Sequence, residues 1–514
     1  MFTEAIARPK LLPRTKVQDE NLSLRADRFI IATNRGPVEY FINQSGELKF
    51  RRGSGGVVTA LSGTVNRVNS TWVALAMTEG DKRALEDAHD GLLESPVRSM
   101  HVHLHYVKAP RVMYNKYYNM MSNRVLWFTQ HYLLEQSEDA FTSDKLEDAW
   151  DNGYTRVNDL IADAICEEIM RDPSKAIVML HDYHLYLVAA RVRELHPDVT
   201  IQQFIHIPWP EIRYWASSLP TTIMRSIFEG LLGNDILGFQ TRHDANNFLE
   251  GARALFEGEG AHIDTEEREI IWNDHRTLIR DYPISISVED ERKVVRSRPA
   301  QRAREEIKPL LLDHNIMRVD RIEPTKNIVQ GFQAYDILLE HHPELHGKVT
   351  FLAFLVPSRT SLSLYRRYKD EVMKTIEEIN EKYGTKEWTP IHSFVQNDRV
   401  IALTALQYYD VLLVNPVIDG MNLVAKEGPV VNKSNGVLIL SRSSGAFQQL
   451  ERASIPISPA DRNETAEALY RALILPKEQR QRLATLAREE VEHNNLYTWI
   501  SQQVDDMNDV LAQK

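Results

Sequence analysis

Cysteine is nearly absent from this chain of 514 residues, because Cys166 is the single one. One thiol excludes an intrachain disulfide, and its helical surroundings, IADAICEEIM, predict a small core residue. Long apolar runs are also lacking: none approaches the ~18 residues that a membrane-spanning helix needs. The first residues, MFTEAIARPKLLPRTK, do not contain the apolar central segment of a secretory signal. Together these absences predict a cytoplasmic protein.

An excess of positive charge is missing as well. The chain has 61 Lys and Arg residues against 72 Asp and Glu residues, which gives a formal net charge of −11. Nucleic acids and anionic membranes are bound by basic faces, so we expect neither as a partner. A small anionic substrate needs only a local cluster of Arg and Lys, and this class of ligand stays open. A homo-oligomer stays open too.

Patterns that bind metals are lacking in the same way. There is no D-x-D pair, which would bind a metal–diphosphate complex, and a metal site needs three or four ligands in a defined geometry. His181, Asp182, His184 and His206 each follow an apolar run. They are either structural side chains satisfied by their neighbours or groups that hydrogen-bond sugar hydroxyls. Among functional roles we favour the sugar over a metal, and we predict that the protein uses no metal and no cofactor.

Short apolar runs alternate with helical patterns along most of the chain. Residues 28–35 and 176–181 are typical of strands buried in a parallel sheet. The alternation pauses near 281–292 and then restarts. This pattern predicts an α/β fold with two Rossmann-like lobes that face a central cleft. The expected divisions are a mobile tail at 1–27, a first lobe at 28–288, a second lobe at 289–490, and a helix at 491–514 that packs back on the first lobe.

Two cations follow the predicted strand at 315–321. Arg321 and Lys326 precede a helical pattern that begins near Asn327, so both lie near a helix N-terminus, whose free N–H groups favour anions. Arg can grip two phosphate oxygens, while Lys acts as a point charge. The pair therefore suits a diphosphate. The alternative is two solvated surface charges.

A turn and a carboxylate follow the predicted strand at 410–417. Asp419 and Gly420 form the turn, and Glu427 lies eight positions after Asp419, which is about two helical turns. A carboxylate here can bind a pair of sugar hydroxyls, and a backbone turn can approach phosphate oxygens. The alternative is an N-cap Asp followed by a surface Glu.

A glycine-rich turn and a group of aromatic residues complete the candidates. The segment RRGSGG at 51–56 precedes a helical pattern, and its glycines let the backbone approach an anion closely. A plain turn is the alternative. Tyr118 and Trp127 lie in the segment MYNKYYNMMSNRVLW. Most aromatic residues are core residues, but these two could line a pocket for a phosphorylated sugar together with Arg35 and Arg359.

Taken in order, these segments resemble the trehalose-6-phosphate synthases over residues ~28–510. The matching blocks are NRGP at 34–37, SGG at 54–56, YYNMMSNRVLW at 117–127, HDYHL at 181–185, HIPWP at 206–210, VDR…K at 319–326, VPSR at 356–359 and DGMNLVAKE at 419–427. The last block is long and nearly unbroken, which makes it specific.

The resemblance implies a GT-B fold with an acceptor-binding first lobe and a nucleotide-sugar-binding second lobe. It also implies retaining transfer of glucose from UDP-glucose, or another nucleoside diphosphate glucose, to glucose 6-phosphate. The products would be trehalose 6-phosphate and UDP. Fixed cations would stabilise the charge that develops on the departing phosphate. In the front-face mechanism usually proposed for this class, that phosphate oxygen takes the acceptor proton, so no metal is required.

The resemblance further implies a role for each matching residue. Arg321 and Lys326 would hold the donor diphosphate and neutralise the leaving group. His206 would bind the transferred glucose, and Asp182 would contact hydroxyls where donor and acceptor meet; these four would be the catalytic residues. The other donor-binding residues would be Gly55, Gly56, Asp419, Gly420, Met421, Asn422, Leu423, Val424 and Glu427. The acceptor-binding residues would be Arg35, Tyr118, Trp127, Asp182 and Arg359.

Four segments depart from the family's pattern. The usual V-D-R-L-D-Y-S-K-G is VDRIEPTKN at 319–327, and H-I-P-F-P is HIPWP, followed by Tyr214 and Trp215. G-W-x-G is replaced by VALAMTEGD at 73–81, and P-I-G-I by PISIS at 283–287. Several changes resemble the pseudo-glycosyltransferases that make validoxylamine 7′-phosphate. A different acceptor, glycerol 3-phosphate or a cyclitol phosphate, is therefore the alternative. A non-catalytic phosphosugar sensor is a third hypothesis.

Overall fold

The computed structural model describes residues 24–53, 58, 61, 68–88, 90–134, 143–172, 174–360 and 362–514. Most of the predicted tail, residues 1–23, and the predicted phosphate-binding glycines Gly55 and Gly56 lie outside the described residues. Leu24 and Ala26 are buried, and the amide of Arg25 donates to the side chain of Asn508. The chain is therefore packed against the protein from Leu24 onward.

The first sheet contains ten of the described strands. Along the chain, the strands of this sheet and of one separate hairpin are β1 Arg28–Ala32, β2 Val38–Ile42, β3 Leu48–Arg52, β4 Asn69–Leu75, β5 Leu93–Glu94, β6 His103–Val107, β7 Ala176–His181, β8 Thr200–Phe204, β9 Ile236–Phe239, β10 His262–Asp264, β11 Glu269–Trp272 and β12 His275–Asp281. The sheet order is β10-β11-β12-β9-β8-β7-β1-β4-β6-β5. Its centre is parallel, and its edges pair antiparallel. Strands β2 and β3 form a separate hairpin.

The second sheet contains six of the described strands and is parallel throughout. The strands are β13 His314–Arg321, β14 Val349–Val356, β15 Ile391–Val395, β16 Val411–Val414, β17 Val437–Ser441 and β18 Ser454–Ile457. Their order is β15-β14-β13-β16-β17-β18. Since β1, β7, β14 and β16 are almost entirely buried, their unbroken apolar sequences suit a sheet covered on both faces. The predicted α/β class is confirmed.

The parallel part of each sheet reverses its strand order at one place. In the first sheet this lies between β7 and β1, and in the second between β13 and β16. Ligands of open α/β sheets bind beyond the carboxyl ends of strands at such a reversal. The loops that begin after His181, after Arg321 and after Val414 are therefore positioned for a site.

Helices cover both sheets. The described α-helices span Glu79–Ala84, Arg111–Tyr114, Trp127–Gln130, Ser143–Ala149, Arg156–Arg171, Val188–Leu195, Ile212–Ser218, Thr221–Leu231, Arg242–Phe256, Val288–Val294, Arg298–Ile307, Ile328–His341, Ser363–Tyr383, Arg399–Ala405, Val424–Val431, Phe447–Leu450, Arg462–Ile474, Lys477–His493 and Leu496–Gln513. The segments Asn115–Leu126 and Trp150–Thr155 are wound as π-helices. No helix within the described ranges is both long enough and apolar enough to cross a membrane.

The last helix, Leu496–Gln513, packs on the first sheet although it follows the second sheet in the chain. The indole nitrogen of Trp499 donates to the carbonyl of Tyr282 at 3.1 Å, and the amides of Gln202 and Gln503 are joined at 2.8 Å. The hydroxyl of Tyr282 also donates to Asp506. These contacts return the chain to the first sheet. The predicted boundaries at 288 and 490 stay predictions.

Candidate functional site

A cavity of about 1160 Å³ lies where loops from both sheets meet. Its walls include eight of the residues that the sequence singled out: Arg35, Tyr118, His181, Asp182, His184, His206, Arg321 and Arg359. These residues come together because strands of both sheets end at this cavity. Trp127 lies under Arg359. Lys326 and Asp419 form an ion pair with each other.

The predicted donor cations lie at the end of β13. Arg321 is half-exposed to the cavity, and its Nη1 lies 3.3 Å from Oε1 of the buried Glu323. The short 3₁₀ turn Pro324–Lys326 follows. Asn327 then adopts a left-handed conformation with φ of 57°, and the helix Ile328–His341 begins. Asn tolerates this conformation better than most residues do. Lys326 therefore lies at a helix N-terminus, as predicted from the sequence.

A buried arginine holds this turn in place. Arg318 is fully buried and makes a two-nitrogen pair with Asp320 Oδ2 at 3.0 and 2.8 Å. It also donates to the carbonyl oxygens of Lys326 at 3.0 Å and Ile328 at 3.3 Å. A charge inside a buried strand is costly unless it is paired. This pair was not predicted; its signal in the sequence was an Arg and an Asp two positions apart inside a strand pattern, MRVD at 317–320.

The predicted phosphate turn packs against the first sheet. A Cβ added to Gly420 would lie 2.4 Å from the carbonyl oxygen of His206, so only glycine allows this approach. Asn422 has φ of 76°, and its side chain donates to Asp419 Oδ2 at 3.0 Å. The other turn residues are Met421, which is buried, and Leu423, which directly precedes the helix Val424–Val431. The turn therefore presents its backbone at a helix N-terminus beside His206.

The predicted ribose ligand Glu427 lies in the helix that follows this turn. Burial raises the pKa of Glu427, and the Arg399 guanidinium opposes that shift. Arg399 lies 3.7 Å from Glu427 and also pairs with Glu291. The adjacent Lys426 is buried and donates to the carbonyl of Ile284 at 2.6 Å. The helix is thus joined by direct contacts to the segment that links the two sheets.

The first-sheet side of the cavity carries neutral imidazoles. Burial lowers the pKa of His206 to about 3 and the pKa of His184 to about 3, and it also lowers that of His181. His181 Nδ1 and His206 Nε2 lie 3.2 Å apart within one hydrogen bond. Neutral imidazoles can donate and accept hydrogen bonds, which suits sugar hydroxyls. In the part of the chain that is described, no group of three His, Cys, Asp or Glu residues could hold a metal ion.

Asp182 lies between these histidines in the fold. It has a left-handed backbone with φ of 73°, and its Oδ1 is 3.4 Å from the amide of His206. Burial raises the pKa of Asp182 to about 7, although backbone N–H groups and Arg359 lower it in part. The carboxyl group therefore changes its charge near neutral pH while facing the cavity.

Arg359, the predicted acceptor arginine, contacts an aromatic ring, a carboxylate and a hydroxyl group. The Arg359 guanidinium lies 3.9 Å above the Trp127 ring. It donates to Glu323 at 3.0 Å and to the Tyr365 hydroxyl at 3.1 Å. Tyr118 stacks on His184, with 5.8 Å between their ring centroids. Cationic and aromatic groups therefore meet at one end of the cavity, as a phosphorylated sugar would require.

The altered segment around 209–215 has a structural role. Trp209 and Trp215 are almost completely buried; they pack against each other and edge-to-face against Phe228. Tyr214 packs against Tyr132. The described lining of the cavity contains none of residues 209–215, whereas Leu75, Met77, Thr78 and Asp81 from the altered segment 73–81 are part of it. Trp209 and Trp215 are therefore core residues, and the expectation that 209–215 bears on the acceptor stays a prediction.

Two parallel sheets around a cavity with cations on one side and neutral hydrogen-bonding groups on the other define a sugar-nucleotide glycosyltransferase. The chain belongs to glycosyltransferase family 20, whose sequence model matches residues 27–509. Its predicted membership of the trehalose-6-phosphate synthase family is confirmed by two relatives. An alpha,alpha-trehalose-phosphate synthase [UDP-forming] of Dictyostelium discoideum is 30% identical over 90% of this chain. A trehalose-6-phosphate synthase of Citrobacter koseri is 34% identical over 77% of it. The chain spans 60% of the Dictyostelium protein and 81% of the Citrobacter one.

Solved structures give the same result for the fold. An E. coli structure described as bound with UDP-2-fluoro glucose covers 94% of this chain and 99% of its own, with a TM-score of 0.79 and 28% identity. A Burkholderia xenovorans synthase in complex with glucose-6-phosphate covers 93% and 99%, with a TM-score of 0.76 and 26% identity. The predicted GT-B fold is confirmed.

Proposed function

We propose that this chain transfers glucose from UDP-glucose to glucose 6-phosphate with retention, giving trehalose 6-phosphate and UDP. The observation that carries the proposal is one cavity in which Arg321 and Arg359 approach a single buried carboxylate from neighbouring loops. Two phosphorylated substrates need two cationic sites close together. The relative named as a UDP-forming synthase supports this donor, and the related structures described with UDP-2-fluoro glucose and with glucose-6-phosphate support the donor and the acceptor.

The donor would lie along the second sheet. Arg321 and Lys326 would bind its diphosphate together with the 420–424 backbone turn, which leads into a helix. The Gly55-Gly56 turn would close over it; these glycines lie outside the described residues, and the nearby Gly53 lines the cavity. Asp419 pairs with Lys326, so an arriving diphosphate would share that cation. Glu427 would accept hydrogen bonds from the ribose hydroxyls. This assignment uses a helix N-terminus and two cations, which together favour a diphosphate.

The acceptor would lie beside the donor, between Arg359 and the first sheet. Arg359 and Arg35 would bind its phosphate, and Tyr118 and Trp127 would line the sugar. Asp182 would contact hydroxyls at the junction with the donor, and His206 would hydrogen-bond the transferred glucose. The neutral state of the His206 ring supports this role, since an uncharged imidazole pairs with hydroxyls at little electrostatic cost.

In the proposed chemistry the bond from the anomeric carbon to the UDP oxygen breaks while the acceptor hydroxyl attacks from the same face. Negative charge develops on the departing phosphate oxygen, and Arg321 and Lys326 stabilise it. That oxygen takes the proton of the acceptor hydroxyl, so the reaction needs neither a protein nucleophile nor a metal or other cofactor. The residues act mainly by holding the two substrates at reacting distance.

A second candidate keeps the donor and changes the acceptor to glycerol 3-phosphate or a cyclitol phosphate. It is supported by Met77, Thr78 and Asp81, which come from a segment that departs from the family pattern and which line the cavity. The third candidate, a non-catalytic sensor, is opposed by the presence of both donor cations, Arg321 and Lys326.

The test is product identification. The protein is incubated with UDP-, ADP- or GDP-glucose and with glucose 6-phosphate, glycerol 3-phosphate or a cyclitol phosphate, and products are identified by mass spectrometry. We expect the disaccharide phosphate and UDP from the first donor and the first acceptor. Release of UDP with another acceptor alone would replace the proposal with the second candidate. An absence of turnover with every pair would support the sensor.

A further inference from the structure

One buried carboxylate joins the two arginines of the proposed donor and acceptor sites. Glu323 is completely buried. Its Oε1 accepts a hydrogen bond from Arg359 Nη1 at 3.0 Å and lies 3.3 Å from Arg321 Nη1. The hydroxyl of Ser358 donates to the same oxygen at 2.7 Å. Three donors from two adjacent loops therefore converge on a single oxygen atom.

The topology explains why these groups meet. Arg321 ends β13 and pairs in register with Val356, which ends β14. Ser358 and Arg359 follow β14 directly, so their loop lies beside the loop that carries Glu323. Trp127, from the first-sheet side, lies near both guanidinium groups: its ring centre is 3.9 Å from the Cζ of Arg359 and 6.0 Å from the Cζ of Arg321. The arginine pair therefore has a carboxylate and an aromatic ring as common neighbours.

The energetics show that this carboxylate is charged. Burial alone would raise the pKa of Glu323, but the nearby cations Arg321, Arg359 and Lys326 lower it to about 2. A buried carboxylate without its partners is strongly destabilising, and two unshielded guanidinium groups in one cavity repel each other. The ion therefore offsets the repulsion between the arginines and restricts where each can lie.

We propose that Glu323 is a positioning residue that holds Arg321 and Arg359 at a fixed separation, so that the donor diphosphate and the acceptor phosphate are bound in register for transfer. This inference rests on the proposed function. It assigns to Glu323 no contact with substrate: the residue acts through the two arginines.

The proposal has an unusual consequence for the Glu323→Gln variant. Glutamine has nearly the same shape but no charge, so the arginines lose their common anchor while the cavity becomes more positive. Each anion on its own should then bind as well as before or more tightly. Turnover needs both anions in register, and a misplacement of about 1 Å can cost about 100-fold. We expect kcat to fall by about that factor while the Kd of UDP and that of glucose 6-phosphate do not rise.

The experiment measures kcat, the two Kd values by calorimetry and the melting temperature for wild type and three variants. Glu323→Asp keeps the charge with a shorter reach, and we expect it to recover part of the lost kcat. Glu344→Gln removes one exposed carboxylate, which forms a surface pair with His342. Its kcat and both Kd values should match those of wild type. Ser358→Ala removes one donor to Oε1 and should lower kcat less than Glu323→Gln does.

Several outcomes would overturn the inference. An unchanged kcat in Glu323→Gln would exclude a positioning role. Loss of affinity for both ligands together with a large fall in melting temperature would show that the carboxylate serves the fold, and failure of Glu323→Gln and Glu323→Asp to fold would mean the same. If wild type itself makes no disaccharide phosphate, the proposed function fails. The split between Kd and turnover can then still be measured with whichever acceptor is active.

Discussion

One wall of the cavity comes from the first sheet and the other from the second sheet. The polar groups near the first wall tend to be neutral, whereas those near the second are charged. On the first-sheet wall, burial raises the pKa of Asp182 to about 7 and lowers that of His206 to about 3, so these groups tend toward their neutral forms. Behind the second-sheet wall, Glu323 is completely buried, yet cations lower its pKa to about 2. Burial is common to both walls, so the number of adjacent cations decides the charge.

This difference indicates how one cavity can bind two chemical classes of group. Neutral donors and acceptors match sugar hydroxyls, and they need no counter-ion. Fixed cations match phosphates, but each of them must be stabilised by a neighbouring anion. The Lys326–Asp419 pair and the Glu323 contacts supply that stabilisation. Under the proposed function, the donor diphosphate lies on the second-sheet wall, the acceptor phosphate lies between Arg359 and the first-sheet Arg35, and the reacting sugar lies against the neutral groups.

The largest expected effect comes from Lys326→Ala. This change removes a cation that would meet the charge on the departing phosphate, and the loss of one such group costs about 10²–10³-fold in turnover. We therefore expect kcat/KM to fall by about that factor in an assay of UDP release. The matched control is Lys382→Ala, which removes an exposed lysine paired with Asp336 and Glu340. If Lys326→Ala lowered kcat/KM by less than about tenfold and no more than Lys382→Ala does, Lys326 would not stabilise the departing phosphate.

A smaller effect is expected from Arg359→Ala. Hydrogen bonds to charged groups contribute about 1.5–3 kcal/mol each, so glucose 6-phosphate should bind about 10- to 150-fold more weakly. UDP binding, measured by calorimetry on the same samples, should change much less. Arg442→Ala, which breaks a surface pair with Glu464, should leave both affinities unchanged. Equal weakening of both ligands would mean that Arg359 does not separate the donor from the acceptor site.

The smallest expected effect is the pH dependence of kcat/KM, which should reflect the titration of Asp182 on the first-sheet wall. Because burial raises the pKa of Asp182 to about 7, its carboxylate form, the stronger acceptor for hydroxyls, is gained as the pH rises through 7. We expect kcat/KM to rise several-fold there, and Asp182→Asn should remove this limb of the profile. The substrate phosphate also titrates, near pH 6, but that limb should persist in both proteins.

The same group has a consequence for stability with the opposite sign. Its folded pKa of about 7 exceeds the ordinary value of 3.8, so the folded chain keeps a proton that the unfolded chain releases between these values. The free energy of unfolding should therefore fall as the pH rises from about 4 to about 7. Asp182→Asn, whose amide tolerates the left-handed backbone, should weaken this slope. A parallel slope in both proteins would place the titration elsewhere.

Several features of the site could be predicted because they are local in the chain. Arg321 and Lys326 follow an apolar run and precede a helix, and the carboxyl ends of parallel strands always lie on one edge of a sheet. The long block DGMNLVAKE likewise contains its turn and its helix start within a few residues. Predictions of this kind need only the order of strands and helices, which the apolar periodicity indicates.

Other features depended on partners far away in the chain. Trp209 and Trp215 belong to a segment that was expected to affect the acceptor, but both are core residues. Their burial depends on Phe228, which packs against both rings from another helix. Glu323 was not singled out at all. Nothing near Glu323 in sequence indicates that Arg359, 36 positions later, donates to it.

The sequence by itself determined the α/β class, the family and the ends of the strands at which the cavity would form, because these follow from periodicity and from motifs continuous in the chain. Only the tertiary structure decided the charge states. An isolated carboxyl group has one ordinary pKa, and whether burial raises it, as at Asp182, or cations lower it, as at Glu323, depends on which groups the two sheets bring within a few ångströms.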